Sequence, residues 1–164
     1  MASDATPPPG FIPLPGGPGP IFNTLIGPFW VKQLSEDGIA YGFRVELRHC
    51  NRMEALHGGM LAGFADIVLT SGCSHVARLS RFLATVSLST DFLAPARLGA
   101  WVEAVPDVLS CGRSTLFGQA LVTADGVPVL RASGAFRFGG DPDPRFDRLR
   151  QLFAEQGISA RMRA

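Results

Sequence analysis

The stretch LHGGMLAGFADIVLTSG, residues 56–72, decides the fold. Its apolar residues recur on nearly every side of a 3.6-residue helix, and a helix apolar all round belongs in the middle of a fold. On either side the period changes. Upstream, residues 29–34 and 39–48 read as two short strands joined by a turn at Ser35 to Gly38. Phe43, Val45 and Leu47 alternate there with Arg44, Glu46 and Arg48, the pattern of a half-buried strand. Downstream, residues 82–93, 97–109, 113–123 and 127–139 read as four more strands, the last two forming a hairpin that turns at Ala124-Asp125-Gly126. Pro106 cannot donate to a ladder and so marks a bulge, bend or edge position. Trp101, Phe117 and Phe136 are expected to pack the sheet core or to border a pocket. Because the central helix cannot bury itself, the economical arrangement is α+β, a single curved antiparallel β-sheet wrapped around one central apolar helix. HGGM does not follow G-x-G-x-x-G, and no glycine-rich segment ends in G-K-S/T, which excludes the common nucleotide-binding loops.

The 164 residues make one domain long enough to bury a core. Lys and Arg total 15 against 14 Asp and Glu, with Lys32 the single lysine, so no surplus positive charge is available for a wide nucleic-acid footprint. A 46% hydrophobic content is equally inconsistent with a disordered chain. Residues 1–27 form a proline/glycine-rich arm: seven of the 13 prolines fall in its first twenty residues, and no run there suits a helix or a strand ladder. The folded domain is expected over 28–139, followed at 140–164 by a turn and a short helix at 144–156. Phe146, Leu149 and Phe153 fall three and four apart on that helix, so it docks by one apolar edge with its arginines facing water. No run approaches the roughly 18–20 apolar residues of a membrane span, and the arm lacks the basic start and apolar stretch of a secretory leader. A cytoplasmic protein is expected. Cys50, Cys73 and Cys111 are odd in number and form no C-x-x-C pair, which suggests neither a disulfide framework nor a thiolate zinc site. His49, His57 and His75 lack metal spacing, and His49 beside Cys50 reads as structural because adjacent strand residues face opposite ways.

Asp66 is the informative residue. A carboxylate inside an apolar helix must be hydrogen-bonded, exposed at an interface, or used. Gly59 lies seven residues before it on a similar face, with Ala62 and Gly63 between, so a groove of small residues runs from the helix start to an acid. Such a groove admits an acyl chain or another backbone; the alternative is close packing, with Asp66 bonded to a neighbouring strand. At the helix start, the N–H groups of Gly58, Gly59 and Met60 are expected to lack partners within the helix and to point out of its positive end. A carbonyl oxygen gaining negative charge is stabilised there.

Asn51, His57-Gly58-Gly59 and Asp66, followed by Thr85, Pro95 and Gly99, resemble the hotdog-fold acyl-CoA thioesterases of the phenylacetic-acid-pathway and human thioesterase-superfamily-member-2 type. The resemblance covers roughly residues 28–139. It implies a hydrolase that splits an acyl-CoA thioester into a free acid and coenzyme A, with no cofactor beyond the coenzyme A carried by the substrate. It also implies roles. Asn51 holds the thioester carbonyl or the attacking water, and the Gly59 N–H polarises the carbonyl. Asp66 is general base or nucleophile, and Thr85 positions the water or the carboxylate. His57 either orients the loop or contacts the thioester, while Gly58 and Met60 lie beside the substrate. In that family two protomers share each site, Asn and Gly from one chain and Asp and the hydroxyl from the other, so a homodimer or a dimer of dimers is implied.

Arg113, Arg78, Arg81 and Arg137 are candidate contacts for coenzyme A phosphates, with Arg131 on the same strand face as Arg137; ordinary surface solvation is the alternative for each. Two other functions stay open, a thioesterase acting on acyl-carrier protein and a non-catalytic acyl-CoA-binding protein. A hotdog dehydratase is disfavoured because the central helix lacks a well-placed histidine.

Overall fold

In the computed structural model, which describes residues 6–16 and 19–156, seven strands follow the chain as β1 (Ile12–Pro13), β2 (Trp30–Gln33), β3 (Ile39–Arg44), β4 (Ala84–Phe92), β5 (Trp101–Cys111), β6 (Thr115–Ala124) and β7 (Val127–Arg137). They form one antiparallel sheet in the order β1-β2-β3-β5-β6-β7-β4. The helices are α1 (Phe22–Ile26), α2 (Gly58–Ile67), α3 (Cys73–Val76) and α4 (Arg148–Glu155). A π-helical turn at Val68–Gly72 joins α2 to α3, making one continuous central rod. Sheet wrapped around helix is the hotdog fold, as the residue 56–72 pattern predicts.

Phe64, Val68 and Leu69 of the rod are wholly buried against Tyr41, Phe43, Leu116, Leu130 and Phe136 of the sheet. The Phe64 ring lies 4.8 Å from that of Phe43 and 5.7 Å from that of Phe29. Each such side chain contributes about 1.5–3 kcal/mol through burial. The rod comes unusually near the sheet because glycines stand at the crossing. A Cβ on Gly118 of β6 would lie 2.6 Å from Cys73 Sγ, and one on Gly72 would lie 2.5 Å from Pro106 Cγ. Pro106 is tolerated because β3 pairs with β5 only as far as Ala104, so beyond that point β5 has β6 alone as a neighbour. The β6–β7 hairpin turns on Asp125 (φ 47°) and Gly126 (φ 83°), the two left-handed residues of a type I′ turn.

Four expectations are corrected. The strand expected at 39–48 stops at Arg44, and Leu47–His49 form a 3₁₀ turn. There the His49 Nδ1 accepts from the Glu46 N–H and the Glu46 side chain accepts from the His49 N–H, which leaves Leu47 exposed instead of inward. Phe117 is exposed on the outer sheet face, whereas Phe136 and Trp101 are buried. The arm is not free of regular structure: Ile12 and Pro13 pair with Val31 and Trp30, and Phe11 packs edge-on against Trp101 at 5.0 Å. Proline fits there because an edge strand has one side whose N–H groups need no partner. Phe22–Ile26 also form α1, which the sequence reading left without a helix.

Among the described residues the other edge of the sheet is β4, paired only with β7. Eight of its nine residues have a partner on β7, and Val86, at the irregularity between Thr85 and Ser87, and Phe92 are 66% and 56% exposed. The terminal helix docks through buried Leu149 and Phe153, as its spacing predicts, but it starts only at Arg148: Pro144–Asp147 form a 3₁₀ turn, on which Phe146, expected on the same docking edge, is 40% exposed. Ser80 ties it down by donating to the Asp147 carboxylate at 2.8 and 2.9 Å, and Arg150 donates to the His75 carbonyl at 2.9 Å.

Candidate active site

The loop before α2 is closed by pairing of Cys50 with Leu56 and by the His57 N–H donating to the His49 carbonyl at 2.9 Å. Within it Asn51 Oδ1 accepts from the N–H groups of Met53 (2.8 Å) and Ala55 (3.3 Å). With the carboxamide oxygen occupied by the loop, the exposed Asn51 side chain presents its NH₂ as a donor. His57 is the N-cap of α2, and its Nδ1 accepts from the Gly59 N–H at 2.8 Å. An accepting Nδ1 requires the neutral ring with its proton on Nε2, so His57 offers an outward N–H. The Met60 N–H donates to the His57 carbonyl at 2.9 Å.

The expectation of three unpartnered N–H groups at the helix start is therefore corrected. Gly59 and Met60 are partnered, and Gly58 alone has no acceptor among the described residues. For Gly59 to serve a carbonyl, the exposed His57 ring must swing off it.

Asp66 lies half-buried nearly two turns beyond Gly59 along α2. Its Oδ1 accepts from the Thr85 hydroxyl on β4 at 2.8 Å, and Oδ2 accepts no hydrogen bond among the described residues. Thr85 can reach it because Thr85 and Phe136 are cross-strand partners on the inner sheet face. The π-helical turn adds Thr70, which donates to the Asp66 carbonyl at 2.7 Å, and Ser71. Asp66, Thr85, Thr70, Ser71 and Arg81 line a cavity of about 500 Å³. Gly59, Met60 and His57 line a different one of about 310 Å³, together with Phe22 and the buried His49. The groove of small residues expected between them is not open: the Phe22 ring of α1 covers Gly63, so that a Cβ there would meet it at 3.3 Å.

The arginines separate by position. Arg81 lines the Asp66 cavity, its guanidinium lying over the Phe138 ring at 6.0 Å. Arg78 is held by Glu36 and Asp37 at 2.8 and 2.7 Å, Arg131 by Asp91 at 3.0 Å. Arg137 faces the outer side of the sheet, opposite to Thr85, and Arg113 sits in the exposed β5–β6 turn; neither borders the two cavities. Sequence reasoning missed Thr70 and Ser71 of the π turn, Arg145 ahead of α4 and Arg148 at its first position, all of which line the Asp66 cavity. Nothing in the local pattern signals any of them.

Burial holds His49 and His75 below the usual imidazole range, aided at His49 by Arg48 and at His75 by Arg150. Neither ring borders Asp66. Among the described residues no group of His, Cys, Asp and Glu is arranged to hold a metal ion, and no helix is long and apolar enough to cross a membrane.

A family model of the thioesterase superfamily matches residues 53–130. A candidate esterase of Pseudomonas aeruginosa is 32% identical over 128 residues, which span 75% of this chain and 96% of that protein. Thioesterase superfamily member 2 of zebrafish superposes with a TM-score of 0.67 at 22% identity, covering 74% of this chain and 89% of its own. A hypothetical thioesterase of Streptococcus pneumoniae, solved with coenzyme A, superposes with a TM-score of 0.62 at 18% identity over 70% of this chain and 88% of its own. Catalysis of this type needs no cofactor, in keeping with a site of carboxylate, hydroxyl and amide groups. With near-full coverage of the Pseudomonas protein, the family match across α2 and β4 to β7, and the hotdog fold, this chain belongs to the thioesterase superfamily of thioester hydrolases.

Proposed function

We propose that the protein hydrolyses acyl-CoA thioesters, with Asp66 as the general base or nucleophile. The observation that carries this reading is the Thr85 hydroxyl bonded to Asp66 Oδ1 on the wall of a cavity, with Oδ2 accepting no hydrogen bond among the described residues. Thr85 fixes the carboxylate, and Oδ2 is the oxygen that takes a proton from water as the water attacks the thioester carbonyl. The carbonyl oxygen becomes an oxyanion, and donors at the start of α2 and the Asn51 NH₂ stabilise it. Collapse of the intermediate breaks the C–S bond, and the departing coenzyme A thiolate takes up a proton. In the nucleophilic variant Oδ2 attacks the carbonyl itself, and water hydrolyses the resulting anhydride.

Coenzyme A as the carrier is supported by the Streptococcus pneumoniae relative solved with it, and Arg81 is the arginine best placed for its phosphates. The site needs two chains in this reading. Asn51 and the His57–Gly59 turn stand apart from the cavity of Asp66 and Thr85 within one protomer, and the edge of β4, unpaired among the described residues, supports a homodimer formed there. Exposed Val105, Leu109, Phe117 and Leu121 on the outer sheet face support a further pairing of dimers. Free thiols at all three cysteines suit the reducing cytoplasm.

Thiol release from short, medium, long and aromatic acyl-CoAs, and from acyl-carrier protein, tests the reading. Asp66→Asn is expected to lower kcat by about 10²–10⁴-fold, the usual contribution of a general base. Equal release by wild type and D66N removes Asp66 from the chemistry; binding without release makes the protein a carrier of acyl-CoA.

A further inference from the structure

We infer that the arm is a strand cap: by covering the β2 edge of the sheet it keeps a second copy of this chain from adding there, and leaves β4 as the edge at which copies join. The inference stands apart from the chemistry proposed above. It starts from the contrast between the two edges. β4 is nine residues long, carries neither proline nor lysine, and leaves Val86 and Phe92 exposed, the features of an edge that invites a partner strand. β2 is four residues long and carries Lys32, the single lysine of the chain. Its side away from β3 is taken by Ile12 and Pro13, and the Leu14 N–H donates to the Phe29 carbonyl at 2.9 Å. Pro13 and Pro15 have no N–H to offer a further strand, so the ladder ends with β1. Lysine and proline gathered at one edge and absent from the other give the sheet a blunt side and an open side.

A two-residue ladder does not hold itself in place, and the arm is fastened by side chains on both faces of the sheet. Ile12 and Leu14 pack against the main core, whereas Phe11, on the alternate side, is buried in a separate cluster with Trp30, Ala40 and Trp101. Gly42 makes the seat: a Cβ there would lie 2.3 Å from the Trp101 ring, so only glycine lets that ring pack over β3. Phe11 stands edge-on against it at 5.0 Å. The Arg44 guanidinium lies 5.4 Å from the same ring and donates to the Thr6 carbonyl at 2.9 Å and to the Gly99 carbonyl at 3.2 Å. Lys32 Nζ stands 5.8 Å from the Phe11 ring, its stem running past Gly10, whose φ is +87°. β2, β3 and β5 thus each contribute to a seat that this one segment fills.

Symmetry says what the cap prevents. Two chains joined about a two-fold axis at β4 carry a β2 edge at each outer end of the combined sheet. With both arms in place the assembly is finite. With both removed, each end offers its unpaired backbone groups to the matching end of another pair, and a series joined end to end does not close. A second copy is the occupant that fits. Its own uncovered edge has the same length and twist, and a two-fold pairing of β2 with β2 is antiparallel, like the β1 ladder it replaces.

The test uses the full chain carrying Phe11→Asp, which sets a carboxylate in the aromatic seat. Trp30 and Trp101 are the two tryptophans of the chain, so release of the arm is read as a red shift of tryptophan emission. Sedimentation over a range of concentrations then reads assembly. Wild type is expected to reach a limiting mass, and F11D to show the red shift and a mass that keeps climbing with concentration while its melt stays cooperative. A peptide of residues 7–16, PPPGFIPLPG, added in excess is expected to return F11D to the wild-type mass by refilling the edge, whereas the same peptide carrying F11D is not. A red-shifted F11D that keeps the wild-type mass overturns the inference, as does growth that the peptide leaves untouched, which traces it to another surface. An unshifted emission overturns it too, because Phe11 then does not hold the arm. If F11D does not fold, Gly10→Val, which forces a β-branched residue into the left-handed region without adding charge, decides by the same readouts.

Discussion

The Thr85 hydroxyl spends its single proton on Asp66 Oδ1, which leaves the other carboxylate oxygen to face the cavity. A hydrogen bond to a charged acceptor contributes about 1.5–3 kcal/mol, so Thr85→Ala should lower kcat by roughly 10–100-fold while Thr85→Ser retains most of it. Steady-state thiol release with the two variants checks this, and an alanine variant with unchanged kcat would leave the hydroxyl a packing role only. A second residue-scale consequence concerns pH. His75 is 6% exposed and, like His49, has its proton affinity lowered by burial. The unfolded chain therefore binds more protons than the folded one once pH falls below the ordinary imidazole value of about 6.5, so this contribution to stability is present above that value and is lost as pH falls through the lowered folded value. Denaturant midpoints should drop between about pH 7 and pH 5, and His75→Gln should flatten the drop. A wild-type midpoint that holds steady over that range would contradict the sign. Of the site itself, Asp66 was legible because a carboxylate in an apolar helix demands a reason. Its bond to Thr85 was anticipated through the resemblance alone; no local pattern predicts it, since it depends on the inward face of β4, which is fixed by pairing with β7 across about fifty residues of chain.

At the scale of elements, the central rod and the sheet are held close by glycines facing large neighbours. Gly118→Ala places a methyl 2.6 Å from Cys73 Sγ and should cost about 1–3 kcal/mol by overpacking. Cys73→Ala removes the obstructing sulfur at its own cost of lost burial. The double variant should then lose less stability than the two single losses added together, a coupling read from denaturant unfolding. Strict additivity would mean the rod and sheet already yield at that crossing. The strands, the hairpin turn and the buried rod could be read from sequence because each is a local pattern of period or turn chemistry. The Ile12–Pro13 ladder could not, since two residues at a sheet edge carry no period and proline argues locally against pairing. Nor could the position of α1, whose Phe22 fills the small-residue groove beside Gly63. The sequence reveals that small residues leave space there without naming the side chain that takes it.

Over the whole molecule, the separation of the two halves of the proposed site makes a prediction about assembly. Asn51 and the His57–Gly59 turn stand apart from the Asp66–Thr85 cavity within one chain, while the edge of β4 away from β7 has no strand beside it among the described residues. If two chains join so that each site draws Asn51 from one and Asp66 from the other, then Asn51→Ala and Asp66→Asn each disable both sites of their own homodimer. In a mixed dimer the two defects fall in the same site. The other site receives Asn51 from the D66N chain and Asp66 from the N51A chain, and is intact. Dissociating and reassembling equal amounts of the two inactive variants should therefore restore about a quarter of the wild-type rate, because about half the dimers are mixed and each has one working site. Val86→Arg, at the exposed irregularity of β4, should suppress both dimer formation in sedimentation and this recovery. A mixture that forms mixed dimers yet stays as inactive as its parents would place Asn51 and Asp66 in the same chain's site.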